Sequence, residues 1–110
     1  MSTTTAFVLE EEDFEDICDT AGYAIGYWSC AAKYKPGSYC LLDEDLQRLE
    51  VTRDDLQEVM IEVSAGGYCI NNGIRKSVRL AVEQGLFEEI DGPSADALIQ
   101  LACYQEVIYG

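Results

Sequence analysis

Asp13-Phe14-Glu15-Asp16-Ile17-Cys18-Asp19-Thr20-Ala21-Gly22-Tyr23-Ala24-Ile25-Gly26-Tyr27-Trp28 carries its apolar residues at helical spacing. Phe14, Ile17, Cys18, Ala21, Ile25 and Trp28 recur every three or four positions, and Glu12, Glu15, Asp16 and Asp19 fall largely on other faces. The pattern predicts an amphipathic helix over residues 13–33, stopped by Pro36-Gly37, with acids in its first turns meeting the positive end of the helix dipole. Cys18, Gly22, Gly26 and Cys30, spaced four apart, form a stripe of small side chains on that helix. Interior glycines cost about 1 kcal/mol each relative to alanine. The stripe therefore predicts a close backbone contact, either with a second helix of the same chain or across a homodimer seam, which a large side chain at Gly26 would overpack.

Outward from this stretch, residues 38–42 read as a short strand, Asp43-Glu44-Asp45 as an exposed turn, and residues 47–51 as the return strand with Leu49 and Val51 inward. Thr52 with Asp55 resembles a capping box and starts a helix whose apolar face is Leu56, Val59, Met60 and Val63. Gly66-Gly67 ends it. A third helix runs from Asn72 or Gly73 to about residue 84, with Ile74, Val78, Ala81 and Val82 inward and Arg75, Lys76 and Arg79 close together. A last helix begins near Ser94 and buries Ala95, Leu98, Ile99, Ala102 and Cys103. The expected fold class is α+β: a mostly helical single domain over residues 1–110, with about four helices and one small β-hairpin. Residues 1–9 are expected to be a flexible N-terminal segment.

Hydrophobic residues make up 48% of the chain and charged ones 25%, the balance of a folded protein. The charge is the unusual quantity: 21 acids against 7 bases leave a formal −14. A small domain commonly carries about 2–8 in magnitude, and an excess costs stability through self-repulsion. A surface this acidic repels nucleic acid and anionic membranes and attracts proteins whose working surface is basic. Cys18, Cys30, Cys40, Cys69 and Cys103 are odd in number with no CxxC pair, so free thiols in a cytosolic setting are expected, without disulfides or a metal site. Met1–Leu9 has no basic region and only a short apolar stretch, so neither a signal peptide nor a membrane span is expected.

Histidine is absent, which removes the commonest general base, the commonest transition-metal ligand and every His-activated nucleophile. Gly66-Gly67 is followed by Tyr68-Cys69, which is not a phosphate-binding loop. Carboxylate pairs arise by chance in so acidic a chain and carry no catalytic information. The expectation is a binding protein, not an enzyme, with no cofactor, no metal and no direct contact with nucleic acid.

The acids are concentrated. On a helix, residues three or four apart stand about 5–6 Å between Cβ atoms, comparable with the phosphate spacing along a nucleic-acid strand. A rigid row of carboxylates can therefore present itself to an arginine-lined groove as a substitute backbone. Glu12, Glu15, Asp16 and Asp19 are the candidate partner-binding residues, followed by Asp43, Glu44 and Asp45. Solvated helix faces usually mix Glu with Lys, whereas here no lysine occurs before Lys33.

The segment Asp16-Ile17-Cys18-Asp19-Thr20-Ala21-Gly22-Tyr23-Ala24-Ile25-Gly26-Tyr27-Trp28-Ser29 resembles the opening helix of a group of small phage and prophage proteins, with Thr-Ala followed by Gly-Tyr-Trp. The ending, an amphipathic helix closing in Val107-Ile108-Tyr109-Gly110, is similar to the ending of the same group. The resemblance covers roughly a third of the chain and transfers no residue role. It implies a phage or mobile-element origin and hence the host cytoplasm. Small acidic phage proteins are often inhibitors of host defence, including anti-CRISPR proteins and DNA mimics. The partner it implies is a host nucleic-acid-binding protein or CRISPR effector, whose basic channel complements this surface. The alternative is a structural or accessory phage protein acting by self-association. Because Trp28 continues the apolar stripe from Phe14, acrylamide is expected to quench native tryptophan fluorescence only weakly. Free quenching would place Trp28 in solvent.

Overall fold

Acids ahead of Phe14 start the first helix where the pattern places it. The computed structural model describes residues 7–109, and its first helix, α1, spans Glu11–Ala24 with Glu11, Glu12 and Asp13 in the first turn. Phe14, Ile17, Cys18 and Ala21 are its buried face. The helix ends well short of residue 33. Ile25–Tyr27 tightens into a single 3-10 turn, closed by the Trp28 N–H on the Ile25 carbonyl at 2.9 Å. The chain then becomes extended.

Strands β1 (Ser29–Lys35), β2 (Ser38–Asp43) and β3 (Arg48–Thr52) form one antiparallel sheet in that order. The expected hairpin is β2 and β3, and β1 stands where a helix was expected. The reason is physical. Gly22 and Gly26 weaken the helix, and β1 is largely solvated on both faces, so it shows none of the alternation that marks a half-buried strand. Its pairing with β2 decides its conformation. Pro36-Gly37, expected to stop a helix, is the two-residue turn between β1 and β2. Gly37 sits at φ 81°, and Lys35 faces Ser38.

The small-residue stripe is divided by this change. Cys18 is buried in α1, whereas Cys30 is exposed on β1. A Cβ on Gly22 would stand 3.6 Å from the Tyr39 hydroxyl, and a Cβ on Gly26 would meet nothing within 4 Å. No continuous small-residue face forms for a helix-pair or homodimer seam, and a larger side chain at Gly26 has room.

Helix α2 spans Arg53–Ser64, and both bonds of the Thr52–Asp55 capping box are present. Helix α3 spans Asn72–Gln84, started by the Asn71 side chain on the Gly73 and Ile74 amides and ended by Gly85 at φ 71°. Helix α4 spans Gly92–Tyr104, with the Asp91 carboxylate accepting from the Ser94 N–H at 3.0 Å. The class is therefore α+β, with four α-helices and a three-stranded sheet among the described residues.

One core joins these elements. Tyr39, Leu41 and Val51 on the inner sheet face meet Phe14, Ile17 and Ile25, and Leu98, Ile99 and Leu101 of α4 lie at its centre. Trp28 is buried as expected. Ala102 and Cys103, expected inside, are only half-buried. The proposed flexible segment is corrected at its end: Leu9 is fully buried, its N–H donates to Gln57 Oε1 at 2.9 Å, and Phe7 stacks on Phe87. Residues 1–6 lie outside the described residues.

Because Gly26 has open space and no left-handed φ, Gly26→Ala is expected to leave stability unchanged or raise it by about 0.4–1 kcal/mol. A lowered Tm would restore the close contact that the stripe suggested.

Candidate acidic interface

Glu12, Glu15, Asp16 and Asp19 all lie within α1 and are all exposed. Their spacing of three, four and seven places them along one side of the helix. At about 1.5 Å rise per residue the row is roughly 10 Å long. Tyr23 lies four residues beyond Asp19 on the same side and is 95% exposed. It was not among the residues singled out from the sequence, although the signal was there: Tyr23 is off the Phe14–Ile25 apolar stripe and in line with Glu12, Asp16 and Asp19. The row thus ends in a large amphipathic ring, a side chain suited to an interface.

Asp13 flanks this row half-buried, and its carboxyl is pushed up, first by burial and then by Glu12, Asp16 and Glu10. Asp13, Asp16 and Thr20 of α1 line one cleft together with Glu88, Phe87 and Ile90. The chain between α3 and α4 so extends the acidic surface beyond α1.

No base among the described residues pairs with the row. Among the described residues one ion pair forms, Arg53 to Glu11 at 3.5 Å, and Glu11 stands outside the row. Glu11 is otherwise engaged, accepting from the Tyr34 hydroxyl and from the Gly37 N–H, and these bonds hold its carboxyl below the usual value. Arg75, Lys76 and Arg79 do not form a basic patch. Arg75 donates to the Val63, Gly67 and Tyr68 carbonyls, each at 2.8 Å, and Arg79 donates to Ser64 O. Two of these arginines therefore cap the C-terminal end of α2 and the loop after it.

The hairpin acids separate into two kinds. Glu44 and Asp45 are exposed on the β2–β3 turn. Asp43 is corrected as a binding candidate, because it is 2% exposed and already occupied. Its Oδ1 accepts from the Asp45 and Gln47 amides, both at 2.9 Å, and its Oδ2 accepts from the Tyr104 hydroxyl at 2.9 Å. The carboxylate shapes the turn, whose Leu46 is held at φ 63°, and ties it to α4. The Gln47 N–H chiefly, with Tyr104 and Asp45, holds the Asp43 carboxyl below its ordinary 3.8 against the desolvation of burial.

A second polar assembly lies at the end of α1. The Trp28 indole N–H donates to Asp96 Oδ1 at 2.8 Å, the Tyr27 hydroxyl donates to Asp96 Oδ2 at 2.5 Å, and Gln100 Nε2 donates to Asp96 Oδ1 at 2.9 Å. Gln100 Oε1 accepts the Ile108 and Tyr109 amides, and Tyr109 stacks on Trp28 at 5.1 Å. Burial, then Asp96, pushes the Tyr27 hydroxyl up to about 12. Every group here is satisfied within the chain, which makes it a structural joint. Sequence reading could not find it, because Asp96 lies 69 and 68 positions from Tyr27 and Trp28.

Cys18 and Cys103 are also withdrawn from chemistry, since burial pushes both thiols up to about 12. Among the described residues no group of three or more Cys, Asp or Glu side chains is placed to hold a metal ion, and no helix is long and apolar enough to cross a membrane. Compared with family models, curated proteins and solved structures, the chain matches none.

Asp43→Ala is expected to lower Tm at neutral pH. Because the folded carboxyl titrates below 3.8, its contribution is complete above that value and is lost as pH falls through the depressed folded value. The Tm gap between wild type and variant should therefore narrow on acidification. A gap that stays constant down to strongly acidic pH would mean the charge of Asp43 does not support the turn.

Proposed function

We propose that this protein is a phage-encoded anti-defence inhibitor of the anti-CRISPR kind. It binds a basic nucleic-acid-binding surface of a host protein or CRISPR effector in the host cytoplasm and acts as a non-enzymatic, acidic DNA mimic. The observation that carries this reading is the row Glu12, Glu15, Asp16 and Asp19: four exposed carboxylates on one side of a rigid helix, without an ion pair among the described residues. α1 is anchored on its other side by Phe14, Ile17, Cys18 and Ala21, so the row is presented with its backbone already ordered. Tyr23 extends the contact, and Glu44 and Asp45 are a secondary group. Asp43 is left out, since a carboxylate already accepting three hydrogen bonds has little left to offer an arginine.

The chemistry is that of charge pairing at a surface. Each exposed pair with an arginine or lysine is worth about 0–1 kcal/mol, so affinity comes from the set and single changes do little. Long-range attraction between a −14 protein and a basic channel speeds encounter and weakens with salt.

The test replaces Glu12, Glu15, Asp16 and Asp19 together by lysine and recovers partners from a phage-sensitive host lysate in low and high salt. Loss of a nucleic-acid-binding partner, with a melt unchanged or raised through relief of self-repulsion, is the expected outcome. A partner retained equally at both salts by the quadruple variant would make the acids solvent decoration, and the self-associating accessory protein would then be the better description.

A further inference from the structure

The bases of this chain are as unevenly placed as its acids. Of seven in the sequence, Lys33, Lys35 and Arg48 stand on the outer face of the sheet, the face turned away from the core. The register shows this. Tyr39 and Leu41 of β2 point inward, so Cys40 and Leu42 between them point outward, and these pair with Lys33 and Ala31 of β1 and with Glu50 and Arg48 of β3. Together they line a shallow, open depression, with Cys40 and Leu42 on its middle strand. Glu50 is the one acid in that lining, and its carboxylate already accepts from the Ser38 hydroxyl at 2.5 Å. On a chain of net charge −14, this face is locally positive.

The same face ends in an open edge. β1 is the terminal strand of the sheet, and Cys30, Ala31, Ala32, Lys33 and Lys35 are all exposed. Among the described residues, the backbone bonds outside helices and sheet ladders leave residues 30–35 untouched. One side-chain bond reaches the backbone of this stretch, from the Ser29 hydroxyl to the Ala31 carbonyl at 3.0 Å, while the Tyr34 hydroxyl and the Cys30 thiol donate away from it to Glu11 and to the Asp43 carbonyl. Alternate residues of an edge strand carry amide and carbonyl groups with no ladder partner, and an extended segment can add to them as a further strand. Lysines on an edge usually prevent this, because a neutral or basic strand laid there would bury or repel their charge. An acidic strand reverses that sign. Lys33 and Lys35 lie two apart on the same face, about 6.6 Å along the strand, so carboxylates at alternate positions of an added strand would stand beside both.

We infer that β1 and the outer sheet face form a docking edge for an extended acidic segment of a partner, with Asp or Glu at alternate positions. The main chain pairs with the free edge of β1, the acids meet Lys33 and Lys35, and the intervening side chains lie on the inner side of the added strand, beside Ala32 and Tyr34. The outer sheet face is opposite in charge to the α1 row, so the two suit partners of opposite sign.

The experiment uses the full chain and three synthetic nine-residue probes: alternating glutamate and valine, alternating lysine and valine, and the glutamate–valine composition with its acids grouped at one end. Binding is followed by fluorescence anisotropy and by amide shifts and hydrogen exchange in the protein. The alternating acidic probe is expected to bind, shifting and protecting amides within residues 30–35. Lys33→Glu with Lys35→Glu should weaken it about tenfold or more and favour the lysine probe. Lys33→Gln with Lys35→Gln, which adds no repulsion, should give an intermediate loss, and the thermal melt of each variant reports that the sheet is intact. Failure of the alternating acidic probe to bind would overturn the inference. So would equal binding of the grouped probe, shifts centred outside the sheet, or affinity indifferent to both double variants.

Discussion

Trp28 stands where helix gives way to sheet, and the arrangement of the rest depends on how it is held. Its indole is almost wholly buried, stacked against Tyr109, edge-on to Tyr104, and hydrogen-bonded through its N–H to Asp96. Those contacts join the end of α1, the start of β1, the middle of α4 and the C-terminal tail in one place. Burying a tryptophan contributes several kcal/mol, on the order of the 3–5 lost when one is truncated to alanine. The indole donor would offset part of that if it were left without a partner. Asp96 supplies that partner, the fully buried Gln100 donates to the same carboxylate oxygen, and among the described residues no buried side-chain polar atom is left unsatisfied. With Trp28 fixed, the chain must leave α1 by the 3-10 turn and enter the sheet along β1.

The charges are then sorted by what the fold can use. Arg75 and Arg79 are drawn to the carbonyls at the end of α2, and Arg53 is drawn to Glu11. Lys33, Lys35 and Arg48 lie on the outer sheet face. This leaves the solvent side of α1 to its acids. Glu11 and Asp43 belong to the scaffold, since each carboxylate collects hydrogen-bond donors and each titrates below its ordinary value. Glu12, Glu15, Asp16 and Asp19 belong to the surface. The self-repulsion of a −14 chain is a standing cost to folding. The proposed binding to a basic partner would make use of a surface kept at that cost.

Much of this was legible in the residues. Helical periodicity placed Phe14, Ile17 and Cys18 inside and the acids of α1 outside, because a helix repeats its faces every 3.6 residues whatever its partners are. The capping box at Thr52, the hairpin of β2 and β3, and the bounds of α3 rest on bonds between near neighbours, and all three formed. Leu9 was placed in a flexible segment because the partner of its amide, Gln57, lies 48 positions away. Tyr23 was overlooked although its place on the helix was computable from spacing alone.

By itself, then, the sequence determined the α+β class, the faces of the helices, the exclusion of His-based chemistry, and the uncompensated acids of α1. These follow from local periodicity, capping and composition, none of which needs a distant partner. Tertiary structure alone decided three other matters. Residues 29–35 became a strand because pairing with β2 and the burial of Trp28 outweighed a helical pattern weakened by glycine. Asp43 became part of the scaffold because Tyr104, 61 positions on, came to lie against it. The bases on the outer sheet face acquired a common surface because three strands were set side by side, an arrangement of non-local hydrogen bonds that no window of sequence contains.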